Sequence, residues 1–358
     1  SVLPFVDLSL SPLVHYFLCI MLFDGCMTVV CIARGSLVAE LGDNEQHRLV
    51  MQRVQSLVAL PEGIVNLVAL SLWDRPAAFN TLLVFSMCLS VVLVESGYRL
   101  CRPGVKAVTA AAGAKHMPHV SLGSFCTQLR GQANFWAFVG MNCIMEMEGT
   151  FHGEFNVILV EVLAPAASGA MPVVLQIIGF LASFGATLLA DRLGSFKVCY
   201  YAILGKVFAC LVALVLVKSG FPLAVFTVQT MILVQASMSS AQRFFDVTVA
   251  NLADEYNANC RRKGLSETDV TSRMFATHAM FAKPLNSAAS VISTQVFALV
   301  EYREMKALGA PPPPVLQAQA TRLLLGFPLV VGVFQFLSWR KFTPHGRELQ
   351  EQQQLRSA

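Results

Sequence analysis

Residues 198–217 read VCYYAILGKVFACLVALVLV, twenty positions holding one charge, Lys206, between Asp191-Arg192-Leu193-Gly194 and Lys218-Ser219-Gly220. A helix needs about 20 predominantly apolar residues to cross the hydrocarbon core of a bilayer. This run meets that length and is closed at both ends by residues that favour turns. Lys206, placed near the start of the window, reads as a side chain that snorkels to the interface. The pattern recurs near 13–39, 49–73, 77–98, 134–163, 171–190, 223–250, 273–299 and 322–340, making nine windows in all. Breakers fall between them at Gly42-Asp43-Asn44, Asp74-Arg75-Pro76, Arg102-Pro103-Gly104 and Gly220 to Pro222, and the run Pro311 to Pro314 reads as a stiff spacer.

The whole composition agrees with the windows. Of 358 residues, 55% are hydrophobic and 13% charged, and the mean hydropathy is +0.59. A soluble core cannot absorb that much apolar surface, whereas spanning helices can, since each satisfies its own backbone hydrogen bonds. The fold class expected is an all-α membrane protein. A net charge of +4, with no basic runs interleaved with aromatics, argues against nucleic acid as a partner. Of the ten cysteines, Cys19, Cys26, Cys31, Cys88, Cys143 and Cys210 lie inside apolar runs, where they read as small hydrophobes. With no C-x-x-C pair, neither a zinc knuckle nor a redox dithiol is indicated, and no metal or cofactor is expected.

Basic residues set the orientation. Pooling alternate loops puts seventeen of the 26 Lys and Arg on one side and five on the other, with Arg34, Lys206, Arg243 and Lys283 inside spans. The rich side is expected to be cytoplasmic, which places the C-terminus inside and, with nine spans, the N-terminus outside. An outside N-terminus with no signal sequence, opening in the middle of an apolar element, suggests that helices precede Ser1. The expected division is a three-helix remnant over 1–100, a cytoplasmic linker over 101–133, a six-helix bundle over 134–342 and a cytoplasmic tail over 343–358. A six-plus-six carrier lacking its first three helices would have this layout.

Four stretches carry a family likeness: Tyr16-Phe-Leu-Cys-x4-Asp24-Gly25; Asn134-Phe135; Ala250-Asn-Leu-Ala-Asp254-Glu255 followed by Lys283-Pro284; and Phe342-Thr-x-His345-Gly346-Arg347. Through them the chain resembles the major facilitator superfamily, in its glycoside-pentoside-hexuronide:cation symporter-like branch and the transmembrane protein 180 (major facilitator domain-containing 13A) group. The resemblance implies helices four to twelve of a twelve-helix fold, a small polar solute such as a sugar, and coupling to H⁺ or Na⁺. The turn Asp191-Arg192-Leu193-Gly194-x-x-Lys197 is similar to the Asp-Arg-x-Gly-basic turn of that superfamily, its Gly permitting a tight reversal and its Asp capping or pairing at a helix end. One departure is sharp. Where cation-coupled members place a carboxylate in their fourth helix, this chain has Cys31.

The most polar window contains Asn142-Cys-Ile-Met-Glu146-Met-Glu148-Gly-Thr150-Phe-His152-Gly-Glu154-Phe-Asn156. At helical spacing Glu148 and His152 share one face, while Glu146, Thr150 and Glu154 lie on another. Facing lipid, each charge would cost about 2.5–3.5 kcal/mol at the helix centre. The carboxylates are therefore expected to face water, be protonated, or be paired. Gly149 and Gly153 offer a place for the helix to break, as in discontinuous transporter helices. Two readings stand: a substrate or proton site with Glu148 and His152 as a relay, or a structural polar seam.

Elsewhere, Asp24 lies deep enough to need a partner, and Arg34 approaches the inner interface. Glu62 beside Pro61 sits mid-span, as a cavity acid or as a solvated acid at a kink. Arg243 and Asp246, spaced i,i+3, are expected to neutralise one another as a gate or structural pair. Lys283, before Pro284, matches a lysine of the resembled branch and is expected to find an acid, with the glutamates of the fourth window as candidates. His278 reads as a packed side chain. No His-Glu-x-x-His, phosphate loop or Gly-x-Ser-x-Gly occurs, so enzyme chemistry is not indicated. Two functions remain: a secondary carrier, or a non-transporting membrane scaffold, for which Cys31 speaks.

The sidedness is directly testable. An epitope appended through a protease site after Ala358 is expected to be cleaved by added protease only in permeabilised cells; cleavage in intact cells would reverse the orientation.

Overall fold

The computed structural model describes residues 26, 29–30, 33, 35, 38, 42, 44–72, 75, 77–92, 95–96, 99, 122–220, 222–262, 270–297, 302, 305 and 308–342. The side chains at 58–64, 66–67, 69–71, 122, 286–288 and 290–297 lie outside this description. So do Asp24, Cys31, Arg34, the Glu62 side chain, most of the expected linker and the C-terminal tail.

Ten α-helices and one 3₁₀ turn lie among the described residues, with further helical residues at 26, 29–30, 33, 35, 38, 95–96, 99, 302, 305 and 308, and no strand occurs among them. The ten helices are α1 (Glu45–Ser71), α2 (Ala77–Val92), α3 (Leu122–Arg130), α4 (Ala133–Leu163), α5 (Met171–Leu193), α6 (Ser195–Lys218), α7 (Leu223–Gln242), α8 (Phe245–Arg262), α9 (Thr271–Phe297) and α10 (Pro314–Arg340). Their ends follow local chemistry. Asn44 caps α1, its Oδ1 accepting the His47 N–H at 2.9 Å. Gly194, at φ 82°, reverses the chain in one residue between α5 and α6, a conformation that side chains bearing Cβ disfavour. Pro222 stands at the N-cap of α7.

Two boundaries differ from expectation. The proline run does not stay outside helix: Pro314 opens α10 eight residues before the expected start, because a first-turn proline loses no hydrogen bond and already has helical φ. The seventh window is divided by a turn at Arg243 and Phe244, beyond which α8 runs on to Arg262.

Among the described residues, Met171–Leu193, Ser195–Lys218, the stretch Leu223–Arg262 and Pro314–Arg340 are long and apolar enough to cross a membrane, where nine spans are expected of the whole sequence. Their outward faces carry exposed Ile177, Leu181, Phe208, Val215, Val330 and Phe334, a surface compatible with lipid. The 31 residues of α4 are interrupted by its carboxylates, so it does not qualify on apolarity despite a length of about 46 Å at 1.5 Å per residue.

Helix α4 runs through the middle, packed on α9, α10 and α7, while α5, α6, α7 and α10 close a ring of neighbours and α1 lies along α5 and α8. Two apolar clusters divide the interior. One gathers Phe135, Phe138, Met145, Phe244, Tyr256 and Trp339; the other gathers Phe151, Leu159, Met171, Phe226, Leu316 and Leu324. Between them, along α4, lies Glu148.

Close approach of α5 and α7 rests on Gly179, where an added Cβ would stand 3.0 Å from Ser239 Oγ and 3.1 Å from Gln235 Nε2. Gly179→Leu is expected to destabilise by about 1–3 kcal/mol, seen as a lower Tm of the detergent-solubilised protein. Gly185→Leu, where nothing lies within 4 Å, is expected to leave Tm unchanged, and equal Tm for both variants would contradict the packing.

Candidate functional site

At the waist between the two clusters, three helices meet around one carboxylate. Lys206 of α6 donates to Glu148 Oε2 at 2.5 Å and to Gln335 Oε1 of α10 at 2.6 Å, and Gln335 Nε2 donates to the same Glu148 oxygen at 3.2 Å. One helical turn on, His152 places Nε2 4.0 Å from Glu148 Oε1, and its Nδ1 lies 2.9 Å from Asn156 Oδ1. Burial is complete: Glu148 is 0%, Gln335 1%, Lys206 2% and His152 3% exposed. Glu148 Oε1 and His152 Nε2 each lack a hydrogen-bond partner among the described residues. Ionised groups at this depth persist only when paired and hydrogen-bonded, since desolvation costs several kcal/mol per ion.

This overturns two expectations. Lys206 does not snorkel: it lies eleven residues after Ser195 and twelve before Lys218, about 17 Å from either end of α6, beyond the reach of its side chain. The cation on Glu148 is therefore Lys206, not Lys283, which stands half-buried on α9 with interactions of its own. Helix α10 leaves room for the lysine at Gly332, where an added Cβ would meet Val207 Cγ2 at 2.8 Å and Lys206 Cε at 3.2 Å.

The acids of α4 are divided between two faces. Glu148 and His152 point into the packed side, whereas Glu146 and Thr150 are half-buried and Gly153, Glu154 and Val157 exposed on the roughly opposite side. Glu148 is thus one sealed carboxylate, and Glu146 and Glu154 belong to a separate, more open stripe. Nor does α4 break at Gly149 or Gly153; it is helical from Ala133 to Leu163. Two glycines cost about 0.5–1 kcal/mol each relative to Ala, too little to interrupt a helix held by neighbours along its length. His278 is buried and packed as expected, its Nε2 2.6 Å from the Asn142 amide.

A second polar assembly ties α1 to the end of the bundle that the sequence assigns to the cytoplasm. Glu45 Oε1 accepts from the backbone N–H and the hydroxyl of Ser195 at 3.0 and 2.6 Å, capping α6 from another helix. Arg48 donates to Asn251 Oδ1 at 2.6 Å and pairs with Asp254 at 2.8 Å. Arg53 pairs with Asp191 and donates to the Thr187 carbonyl at 3.3 Å. Gln52 stands between the expected gate residues: its carbonyl accepts from Arg243 Nη2 at 2.9 Å, and its amide donates to Asp246 Oδ2 at 3.2 Å. Arg243 also donates to Ser56 Oγ. In the tight turn itself Arg192 and Lys197 are exposed, and Gly194 supplies the reversal.

Sequence reasoning missed Lys206, Gln335, Glu45, Arg48, Gln52 and Arg53. A signal for the α1 residues was present, since 45, 48, 52 and 56 are polar at helical spacing along one face. No protein-family model matches the chain.

Because a lone buried charge is worse than none, Glu148→Gln or Lys206→Met alone is expected to destabilise by about 3–5 kcal/mol. The double variant is expected to recover most of that loss, measured as Tm in detergent across a double-mutant cycle. Additive losses would show that the two side chains do not interact.

Proposed function

We propose that the chain is, or belongs to, a secondary membrane carrier for a small polar solute, of the major-facilitator type that its sequence resembles. In this reading α4 to α10 form a six-span unit, with α7 and α8 one interrupted span and α1 and α2 remaining from the other half. The nine-span count, the cytoplasmic C-terminus and the coupling of transport to H⁺ or Na⁺ belong to the same proposal. The open stripe of α4, Glu146, Thr150 and Glu154, would face the solute path with Lys283, while Glu148 anchors the helix from behind.

The observation that carries this reading is the seam between α1 and the rest. Its polar row from Glu45 to Ser56 engages the Asp191 turn, the start of α6 and both ends of the Arg243–Asp254 stretch. On this account the seam is where the two halves part, as alternating access requires. Arg243, Asp246, Asp191 and Gly194 take gating roles on this account, with Arg192 and Lys197 at the cytoplasmic surface beside them.

A specific observation favours the alternative, a non-transporting scaffold. The most buried acid already has Lys206 as its counter-charge, and Gln335 bonds the same oxygen, within apolar packing, and Cys31 stands where a coupling acid is expected.

Counterflow and gradient-driven uptake of sugars and other small polar solutes by proteoliposomes decides between them. Uptake by the intact protein, reduced about tenfold or more in Glu154→Gln and in Lys283→Ala, a change of ~1.4 kcal/mol in the barrier, is the expected result. Transport of no solute by the intact, folded protein would leave the scaffold.

A further inference from the structure

At the other end of the bundle, away from the α1 seam, a cavity of about 620 Å³ opens between the end of α6, the start of α7 and the first turns of α10. Its walls are Leu214, Val217, Leu223, Ala318 and Leu325. The volume lies within the roughly 300–1,000 Å³ typical of small-molecule sites. Exposed Val215 and Val330 continue the apolar surface along α6 and α10, two of the helices long and apolar enough to cross a membrane. The cavity is therefore a lateral groove in a surface suited to acyl chains.

The polar lining has one sign. Lys218, the last residue of α6, and Arg322, eight residues into α10, both border the groove and are exposed. Among the described residues no carboxylate lines it and neither cation forms an ion pair. The other polar residues are neutral: Gln317, and Thr321, whose hydroxyl donates to the Gln317 carbonyl at 2.8 Å. Two cations above an apolar trough match a molecule with an anionic head and a hydrocarbon tail. Arg in particular presents a planar fork that fits phosphate oxygens in pairs.

We infer that this groove is a binding site for one anionic phospholipid, with an acyl chain along Leu214, Val217 and Leu325 and the phosphate held between Lys218 and Arg322. A water-soluble anion would have no use for the apolar walls, and a zwitterionic lipid would bring its own cation toward Lys218 and Arg322. Gly326 lies in the groove lining, where an added Cβ meets no atom within 4 Å. The empty space over it belongs to the ligand.

The test uses the full chain, purified in neutral detergent and supplied with phosphatidylglycerol or phosphatidylcholine of the same acyl composition. Retained lipid is counted by native mass spectrometry, and Tm is read alongside. The expected result is one tightly retained phosphatidylglycerol, preferred over phosphatidylcholine by roughly ten- to thirtyfold, the scale set by two basic residues acting on an anionic lipid. Lys218→Ala with Arg322→Ala is expected to reduce that preference to less than about twofold while the lipid-free Tm stays unchanged, since both side chains are exposed and without ion pairs. Gly326→Phe, filling the trough without displacing a neighbour, is expected to abolish retention of both lipids. Equal retention of the two lipids by the wild-type chain, an undiminished preference in the double variant, or equally tight binding of glycerol phosphate without acyl chains would overturn the assignment.

Discussion

A lysine at the midpoint of an apolar helix sets the terms for everything packed around it. Helix α6 is apolar on every side, so the hydrophobic effect alone gives no reason to turn one face inward rather than another. Lys206 supplies that reason. Its ammonium needs an acid, and the acid must be desolvated with it, so α4 is rotated to present Glu148 and α10 to present Gln335. The result is a three-helix register held by directional bonds. Apolar packing above and below fills space but allows rotation, whereas a buried pair leaves one arrangement in which no charge is stranded. Gly332 completes the fit by letting α10 approach at the level of the lysine.

The same pair explains how α4 can carry so many acids. Once Glu148 and His152 are committed to the packed side, helical geometry directs Glu146, Thr150 and Glu154 away from it. A helix anchored by one face and polar on the other can hold a path for solute without being free to slide. The seam with α1 reaches the surface at Arg53, Asp191 and Asp254, while Arg48, Gln52, Ser56 and Asp246 are buried within it.

Helix positions were legible in the sequence because spanning segments are a local property: apolar length and the breakers Gly42 to Asn44, Asp191 to Gly194 and Gly220 to Pro222 are all read within one window. The all-helical class and the Gly194 reversal follow in the same way. Partner choice is not local. Lys206 is the ninth of the twenty residues in the window 198–217, and no local signal tells a snorkelling lysine from one that meets a buried acid. Which partners Lys283 takes depends on the face that α9 offers, and spacing and resemblance do not give that face. The division of α4 into a sealed and an open face was visible from periodicity, but which face is sealed depends on α6 and α10, far away in the chain. The i,i+3 spacing of Arg243 and Asp246 is local, whereas the contact that Gln52 makes with each depends on a helix some 190 residues earlier.

These two kinds of contact bear on the choice between carrier and scaffold. An exposed ion pair contributes about 0–1 kcal/mol, which fits Arg53 with Asp191, partly open at both ends, whereas Arg48 is buried behind its exposed partner Asp254 and costs more to separate. Separating Glu148 from Lys206 would expose two buried charges to apolar surroundings, at several kcal/mol each, and no small ligand supplies that. On the proposed carrier reading, a large motion would leave α4, α6 and α10 together and fall at α1, along the face that carries Glu45, Arg48, Gln52 and Ser56.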